Sequence, residues 1–423
     1  MEEIKLQGLD ETIYKTTLEN GLRIYVWTNK KVNTFKGTIT FLIGSEDINY
    51  KIGKKKIHDC FGIPHYLEHI LCQNEKGGSI LGDFQTLGSY SNASTYAYRT
   101  TFEFIGNNNL QKNIELLLHM TQDKVFQEEP FERERGAILE ESRRCEDSID
   151  RLLYIEINKM LYKNYPNKEY GVGSQEDIKK ITLEDLKRTY ANFYHPKNSF
   201  VVITGNVNPC EIEEWISQVE SKKEFSKFKE PTLLKYKEPA SLVCKEREIK
   251  ASVEIPIVAV ALKVPLNIFG EKDLLKILDS IDLVLASNFG GTSDFREELL
   301  NQKLITTLSS YVEKNRDYLS IVVKSKTKYP KEVSKRLQEK LSTLQIKEEE
   351  LLRKKKCAIA NMVRGYEDVE EVNDYLTYSL SKFGSIFVNE KEVLENLDLK
   401  AIEDIINTID FKKMATLIVM PRE

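Results

Sequence analysis

The sequence predicts an α+β protein made of two similar α/β units of about 200 residues each. The first observation is length, because 423 residues are many for one hydrophobic core and suit two domains. The second is the order of patterns, since strand-like and helical runs recur in the second half in the same outline as in the first. We interpret this recurrence as a degenerate internal duplication.

A stretch with linker composition separates the two halves. Residues 216–240 are polar, rich in Lys and Glu, and interrupted by Pro231 and Pro239. The sequence therefore predicts an N-terminal domain at 1–215, a linker at 216–240 and a C-terminal domain at 241–423. The C-terminal part contains no histidine, so a metal site built on histidine can belong only to the N-terminal domain.

The first half begins with strands that precede a helix. Residues 14–28 hold two extended runs joined by Asn20-Gly21, a pair typical of a hairpin turn. Residues 46–60 are polar and Lys-rich, which predicts a loop. Pro64 fits the first turn of the helix that follows, where its missing N–H is not needed.

Longer elements follow. In residues 95–105, mainly aromatic side chains alternate with small or polar ones, which predicts a strand with one polar face. Residues 131–162 predict a long helical stretch. The second half is predicted to contain strands at 252–264, 305–311, 319–323 and 414–419, and helices at 273–286, 331–344 and 348–366.

Charge and composition exclude some classes of function. Apolar residues make up 41% and charged residues 30%, a profile typical of a folded globular protein. The net charge is only -4, so no overall positive electrostatic field favours the binding of nucleic acid. The acidic start Met1-Glu2-Glu3 is unlike a signal peptide, and no run approaches the roughly 20 apolar residues of a membrane span. We therefore expect a cytoplasmic protein without a membrane span.

The stretch His65-Tyr66-Leu67-Glu68-His69 carries the strongest chemical signal. Positions i and i+4 of a helix project from one face, so both imidazoles can reach one metal ion. Glu68 lies close to that face and can act as a general base on water. The order H-x-x-E-H is the inverzincin signature of zinc hydrolases.

A catalytic zinc site normally has three protein ligands. The helical run from Glu134 to Glu141 is the source we predict for the third, because these two carboxylates are two turns apart and share a face. Glu140 projects about 100° away. We take Glu141 as the ligand and Glu134 as a catalytic carboxylate, either supporting the ligands from outside or acting on the transition state.

Two further residues near the site are weaker candidates. Asp147, six residues after Glu141, could orient a metal-binding histidine through its second nitrogen, although an acidic residue on a charged helix is more often simply exposed. Cys72 follows His69 by three residues and could share its face, but a free cysteine is more often a small buried apolar residue.

These features resemble the M16 family of zinc metallopeptidases, the pitrilysin and mitochondrial processing peptidase-like group that also includes insulin-degrading enzyme. The closest likeness is to its short, single-unit bacterial members. The motifs that carry the resemblance are H-x-x-E-H, E-R-x-x-I-x-x-E from Glu134 to Glu141, Asn92-Ala93-Ser94-Thr95, and Tyr194-His195-Pro196-Lys197-Asn198.

The resemblance implies a LuxS/MPP-like fold in which each unit is a mainly antiparallel sheet packed with helices. It implies a zinc endopeptidase with Asn92, Ala93, Ser94 and Thr95 at the substrate. It also implies that the strand at 95–105 takes extended peptide along its edge, a mode that accepts many sequences. We expect flexible peptides as substrates, including precursor or leader sequences of ribosomally made peptides.

One part of the family pattern is missing. Members of the family typically bring an Arg and a Tyr from the second unit, but here Leu300 and Thr306 occupy the aligned positions. We therefore expect a metal-free homologue as a heterodimer partner that supplies both groups. A homodimer in which Arg296 or Tyr311 does this work is the nearest alternative, and a non-catalytic assembly subunit is a third.

Overall fold

The computed structural model describes residues 1–74 and 78–422. Contacts divide the chain into two compact units. Unit 1 consists of Met1–Cys145, Glu169–Lys235 and Val363–Val388. Unit 2 consists of Glu146–Lys168, Tyr236–Met362 and Asn389–Glu423.

Unit 1 is built on a mainly antiparallel sheet. Its described strands are β1 (Glu2–Lys5), β2 (Thr12–Thr17), β3 (Arg23–Thr28), β4 (Phe35–Phe41), β5 (Asn49–Ile52), β6 (Lys55–His58), β7 (Ser89–Thr95), β8 (Thr100–Gly106), β9 (Ser199–Gly205) and β10 (Thr232–Leu233). Seven of them form a sheet in the order β1-β2-β3-β9-β4-β8-β7, in which only β3 and β9 pair in parallel. A smaller sheet has the order β10-β5-β6.

Helices cover both faces of this sheet. The helices that lie mainly in unit 1 are α1 (Ile63–Leu71), α2 (Leu81–Thr86), α3 (Leu110–Gln122), α4 (Glu128–Asp147), α6 (Gln175–Lys180), α7 (Leu183–Phe193), α8 (Pro209–Glu220) and α13 (Val369–Phe383). Strand β3 separates two apolar clusters: Ile24 and Val26 pack with α1, α3 and α8, whereas Tyr25 and Trp27 pack with α13. The sheet is therefore buried on both sides.

Unit 2 repeats the theme with fewer strands. Its strands are β11 (Glu246–Ala251), β12 (Ile257–Pro265), β13 (Thr307–Asn315), β14 (Tyr318–Lys326) and β15 (Met414–Pro421), in the order β11-β15-β12-β14-β13. Its helices are α5 (Ile149–Leu161), α9 (Leu274–Phe289), α10 (Asp294–Asn301), α11 (Pro330–Ser342), α12 (Glu348–Gly365), α14 (Glu390–Asn396) and α15 (Leu399–Ile406). Short 3₁₀ turns occur at Pro166–Lys168, Pro196–Asn198 and Leu266–Phe269.

The division into units differs from a single cut at 216–240. The chain passes from one unit to the other within α4 and again within α12, so α5 belongs to unit 2 and α13 to unit 1. The two exchanged helices occupy equivalent places, each following a long charged helix, which agrees with a duplicated unit. The domain bounds 1–215 and 241–423 stay a prediction.

Two local predictions were wrong. Residues 46–60 are not a plain loop, because Asn49–Ile52 and Lys55–His58 pair as a hairpin whose turn includes Gly53 at positive φ. Residues 95–105 are not one strand, because the chain turns at 96–99 between β7 and β8. The side-chain alternation continues through that turn without Gly or Pro, so the pattern concealed it. The edge strand on this side of the sheet is consequently β7, not the stretch 95–105, and β1 is the edge strand on the other side.

The long helical stretch predicted at 131–162 is two helices, with a break at Ser148, where the backbone is extended. Among the described helices, none combines the length and the apolar character needed to cross a membrane. The predicted class, an α+β protein with mainly antiparallel sheets packed with helices, matches the structure.

Candidate metal centre

Helix α1 is fixed at its start and along its buried face. Gly62 precedes it with φ of 92°, and a Cβ there would lie 2.5 Å from the carbonyl oxygen of Val172, so only glycine fits. Pro64 lies in the first turn, as predicted. Tyr66 is fully buried, stacks on the ring of Phe131 and donates to its carbonyl oxygen, which ties α1 to the start of α4.

Helix α4 is held over α1 by hydrogen bonds to backbone carbonyls in and next to helix α6. Arg135 donates to the carbonyl oxygens of Ile178 and Ile181, at 2.6 and 3.0 Å. Ser142 donates to the carbonyl oxygen of Gly173 at 3.0 Å. These bonds fix the rotation of α4 about its axis, and with it the direction of the neighbouring Glu141.

The two helices bring His65, His69 and Glu141 into one group. One donor atom from each residue lies within 4.8 Å of the other two. His65 Nε2 is 3.5 Å from Glu141 Oε1, and His69 Nε2 is 3.3 Å from Glu141 Oε2. Two imidazole nitrogens and one carboxylate make a ligand set that suits catalytic zinc.

The other ring nitrogen, Nδ1, has a different environment in the two histidines. His69 Nδ1 lies 3.2 Å from Glu134 Oε2, which can fix the ring with Nε2 facing Glu141. His65 Nδ1 is buried and has no hydrogen-bond partner among the described residues. In both residues the nitrogen that faces the shared point is Nε2, so the donor set fits a zinc ion held between them.

Charge in the group reflects these contacts. Burial alone would lower the pKa of His69, but hydrogen bonds to Glu134 and Glu141 outweigh it and raise that pKa to about 9. Hydrogen bonds from His65 and from His69 hold the pKa of Glu141 well below its usual range. Without metal, a proton on His69 therefore occupies the position that a cation would take.

The acidic residues of α4 have different environments. Glu134 is buried and touches His69, whereas Glu140 is exposed and pairs with Arg143. Asp147 is exposed at the last position of the helix. Glu134 makes the contact with the second nitrogen of His69. Among the residues that the structure describes, no hydrogen bond joins Asp147 to either histidine, and its orienting role stays a prediction.

Glu68 is buried beside the group and is held by a residue of β7. The hydroxyl of Thr95 donates to Glu68 Oε2 at 2.6 Å. Sequence reasoning placed Thr95 at the substrate and missed this contact. A hydroxyl residue about 30 positions beyond a catalytic carboxylate gives no local signal of such pairing.

The other predicted substrate residues lie along β7. Asn92 is exposed, and Ala93 and Ser94 are partly buried. Strand β7 pairs with β8 on one side, and no described strand pairs with its other side. Its outer backbone groups can therefore bind an extended chain.

Cys72 is not part of the group. It forms the C-cap of α1 and packs against the apolar cluster under the sheet, and burial raises the pKa of its thiol. A raised thiol pKa disfavours the thiolate that zinc would need.

In unit 2, the residues considered for the missing Arg and Tyr have local partners. Leu300 and Thr306 are exposed. Arg296 donates to the carbonyl oxygen of Leu308 at 3.3 Å. Tyr311 packs against the apolar cluster of unit 2, and burial raises its pKa.

Comparison with known proteins shows that two family models match this chain. Residues 57–170 match the model for insulinase (peptidase family M16), and residues 180–356 match the model for the peptidase M16 inactive domain. The zinc protease YmfH of Bacillus subtilis is 29% identical over 414 residues, 97% of this chain and 96% of that protein. The zinc protease PqqE of Helicobacter pylori is 30% identical over 305 residues, 69% of this chain and 64% of that protein.

A crystal structure of an M16-like peptidase from Alicyclobacillus acidocaldarius has the same fold. Its TM-score is 0.90 at 23% identity, over 98% of this chain and 99% of that one. The predicted fold class is thereby confirmed.

The pKa of His69 predicts how zinc affinity depends on pH. Because His69 must lose its proton before Nε2 can bind metal, the affinity should rise about tenfold per pH unit from pH 7 and level off near pH 9. Titration calorimetry in buffers of different ionisation enthalpy should detect one proton released per zinc at pH 7.5. His119→Gln, which removes an exposed histidine of α3, is the control and should not alter the profile. A flat profile without proton release would contradict the assignment.

Proposed function

The chain belongs to peptidase family M16, and from that membership we propose that it is a zinc-dependent endopeptidase with His65, His69 and Glu141 as metal ligands. The observation that carries the proposal is their convergence within 4.8 Å beside a buried carboxylate. Zinc is the cofactor of the named relatives. When bound, it supplies Lewis-acid chemistry that polarises a carbonyl and makes water more acidic.

Glu68 is the general base in this proposal. Its carboxylate accepts the proton of the attacking water and then delivers it to the amine that leaves when the peptide bond breaks. Thr95 holds one carboxylate oxygen at 2.6 Å, which leaves the other oxygen to receive the proton. Glu134 keeps His69 in the tautomer and orientation that a ligand needs.

We propose that the substrate is a flexible peptide bound as an added strand on β7. Main-chain hydrogen bonds provide most of the recognition in this mode and accept many sequences. Asn92, Ala93 and Ser94 lie on the strand that would contact such a peptide. Precursor or leader sequences of ribosomally made peptides have the required flexibility and are the substrate class we propose.

The proposal includes a heterodimer with a metal-free homologue. Leu300 and Thr306 stand where the family usually has Arg and Tyr, and loss of one oxyanion donor typically lowers the rate by 10²- to 10³-fold. Arg296 and Tyr311 are engaged within unit 2, which disfavours the self-sufficient homodimer. The non-catalytic assembly subunit is disfavoured because all the ligand residues and the base are present.

The test is peptidase activity on an unstructured peptide. The zinc-loaded chain is assayed alone and mixed with a metal-free M16 homologue encoded beside it, and Glu68→Gln is the control in both arms. Turnover should appear in the mixture and fall by at least about 10³-fold with Glu68→Gln, while zinc content stays the same.

Other outcomes would overturn parts of the proposal. Equal turnover by the chain alone would refute the heterodimer and favour the homodimer. A zinc-loaded chain that is inactive in both arms would refute the endopeptidase and favour the assembly subunit.

The contact between Thr95 and Glu68 gives a second prediction. Thr95→Val removes the hydroxyl at nearly constant shape and should lower kcat by about tenfold, since a hydrogen bond to a charged group is lost. Thr95→Ser keeps the hydroxyl and should restore most of the rate. Steady-state kinetics on both variants, with metal analysis, decide the matter. Full kcat in the valine variant would exclude this role.

A further inference from the structure

Two cations and two tyrosines meet beside the turn that joins β7 to β8. We call them, with one serine, the Arg99 cluster: Tyr96, Arg99, Tyr378, Ser381 and Lys382. The guanidinium carbon of Arg99 lies 4.0 Å from the centre of the Tyr96 ring and 5.9 Å from that of Tyr378. Lys382 Nζ lies 5.2 Å from the centre of the Tyr378 ring. All five residues belong to unit 1.

Neither cation of the cluster pairs with a carboxylate among the residues that the structure describes. Arg99 Nη1 donates to Ser381 Oγ at 3.0 Å, and Arg99 Nε is buried without an acceptor. Asp374, on the same helix as Ser381, is already bound by Lys36 at 2.7 Å. A partly buried guanidinium without a carboxylate partner is costly, and a carboxylate bound at the accessible part of the guanidinium would offset that cost.

The cluster lies next to the candidate catalytic base but on the other face of the sheet. Thr95 pairs with Thr100 across the hairpin, and the Tyr96 N–H donates to the carbonyl oxygen of Arg99 at 2.8 Å. Thr95 points to Glu68 of α1, whereas Arg99 reaches Ser381 and Tyr378 of α13, which packs on the opposite face of the sheet. A peptide added along β7 would therefore reach the cluster as it passes the end of the strand.

The cluster is open to such a peptide and has the chemistry to hold an anion. Tyr96 is 48% exposed and Tyr378 41% exposed. A guanidinium flanked by aromatic rings keeps its fixed orientation, and its planar fork matches a carboxylate. Lys382 adds a second positive charge at the same place. A neutral or basic group would gain nothing comparable there.

We propose that the Arg99 cluster is a substrate subsite that binds a carboxylate of the peptide lying along β7. This inference rests on the proposed endopeptidase function. The carboxylate could belong to an Asp or Glu side chain or to the C-terminus of the peptide, because the same guanidinium recognises both. The two sources are separated by experiment.

The test uses sets of unstructured peptides with one common sequence. In one arm, glutamate replaces glutamine at successive positions; in the other arm, a free C-terminus replaces a C-terminal amide. Binding is measured by fluorescence anisotropy on the full-length Glu68→Gln protein, which needs no turnover, and kcat/KM is measured on the active protein. One arm should show a preference for the carboxylate peptide of about tenfold, the size of one charge-assisted hydrogen bond.

Variants then assign that preference. In Arg99→Gln, the affinity for the carboxylate peptide divided by the affinity for the neutral peptide should fall to nearly one. In the protein with the unaltered cluster, this affinity ratio should decrease at high salt. Lys112→Gln, which removes an exposed charge from α3 in the same unit, should keep the full ratio. If Arg99→Gln does not fold, as judged by its unfolding temperature, Lys382→Gln decides and should at least halve the ratio.

Three results would refute the subsite or the endopeptidase function. No preference in either arm, or a preference that survives in the folded cluster variants, overturns the subsite. Binding preference without any hydrolysis refutes the endopeptidase but keeps the subsite. Hydrolysis without preference refutes the subsite alone.

Discussion

The packing of α1 against α4 is the constraint on which the candidate site depends. Residues 72–127 separate these helices in the sequence, yet the stacked pair Tyr66 and Phe131 fixes their approach. Arg135 and Ser142 then fix the rotation of α4 through backbone carbonyls in and next to helix α6. Both the approach of the two helices and the rotation of α4 are needed to bring Glu141 to the two histidines. Apolar residues of both helices are buried in one cluster, and that burial stabilises the arrangement.

The site was predictable where it follows from helical periodicity. The pairing of His65 with His69, the shared face of Glu134 and Glu141 and the outward direction of Glu140 all follow from 3.6 residues per turn. The contact of Thr95 with Glu68 does not, because it depends on how a hairpin lies against a helix. The fold class was likewise predictable, while the turn at 96–99 was hidden by unbroken alternation. The exchange of α5 and α13 between units has no local signature either.

The hairpin of β7 and β8 combines three structural features near the candidate site. Its free edge offers backbone groups to an extended chain, its Thr95 supports the candidate base, and its turn carries Arg99 on the opposite face. Helix α13, which comes from late in the sequence, completes the cluster around Arg99. The late segment Val363–Val388 thus supports unit 1 both by packing on its sheet and by supplying polar side chains.

The central claim is that one zinc ion is held by two histidines and one glutamate. X-ray absorption at the zinc edge, on the full chain loaded with one equivalent, measures the ligand atoms directly. We expect nitrogen and oxygen scatterers only, at about 2.0–2.2 Å, with a changed spectrum or lost zinc in Glu141→Gln. A sulfur scatterer at about 2.3 Å would place Cys72 in the site. That result, or a spectrum unaffected by Glu141→Gln, would contradict the assignment of His65, His69 and Glu141 as the ligands.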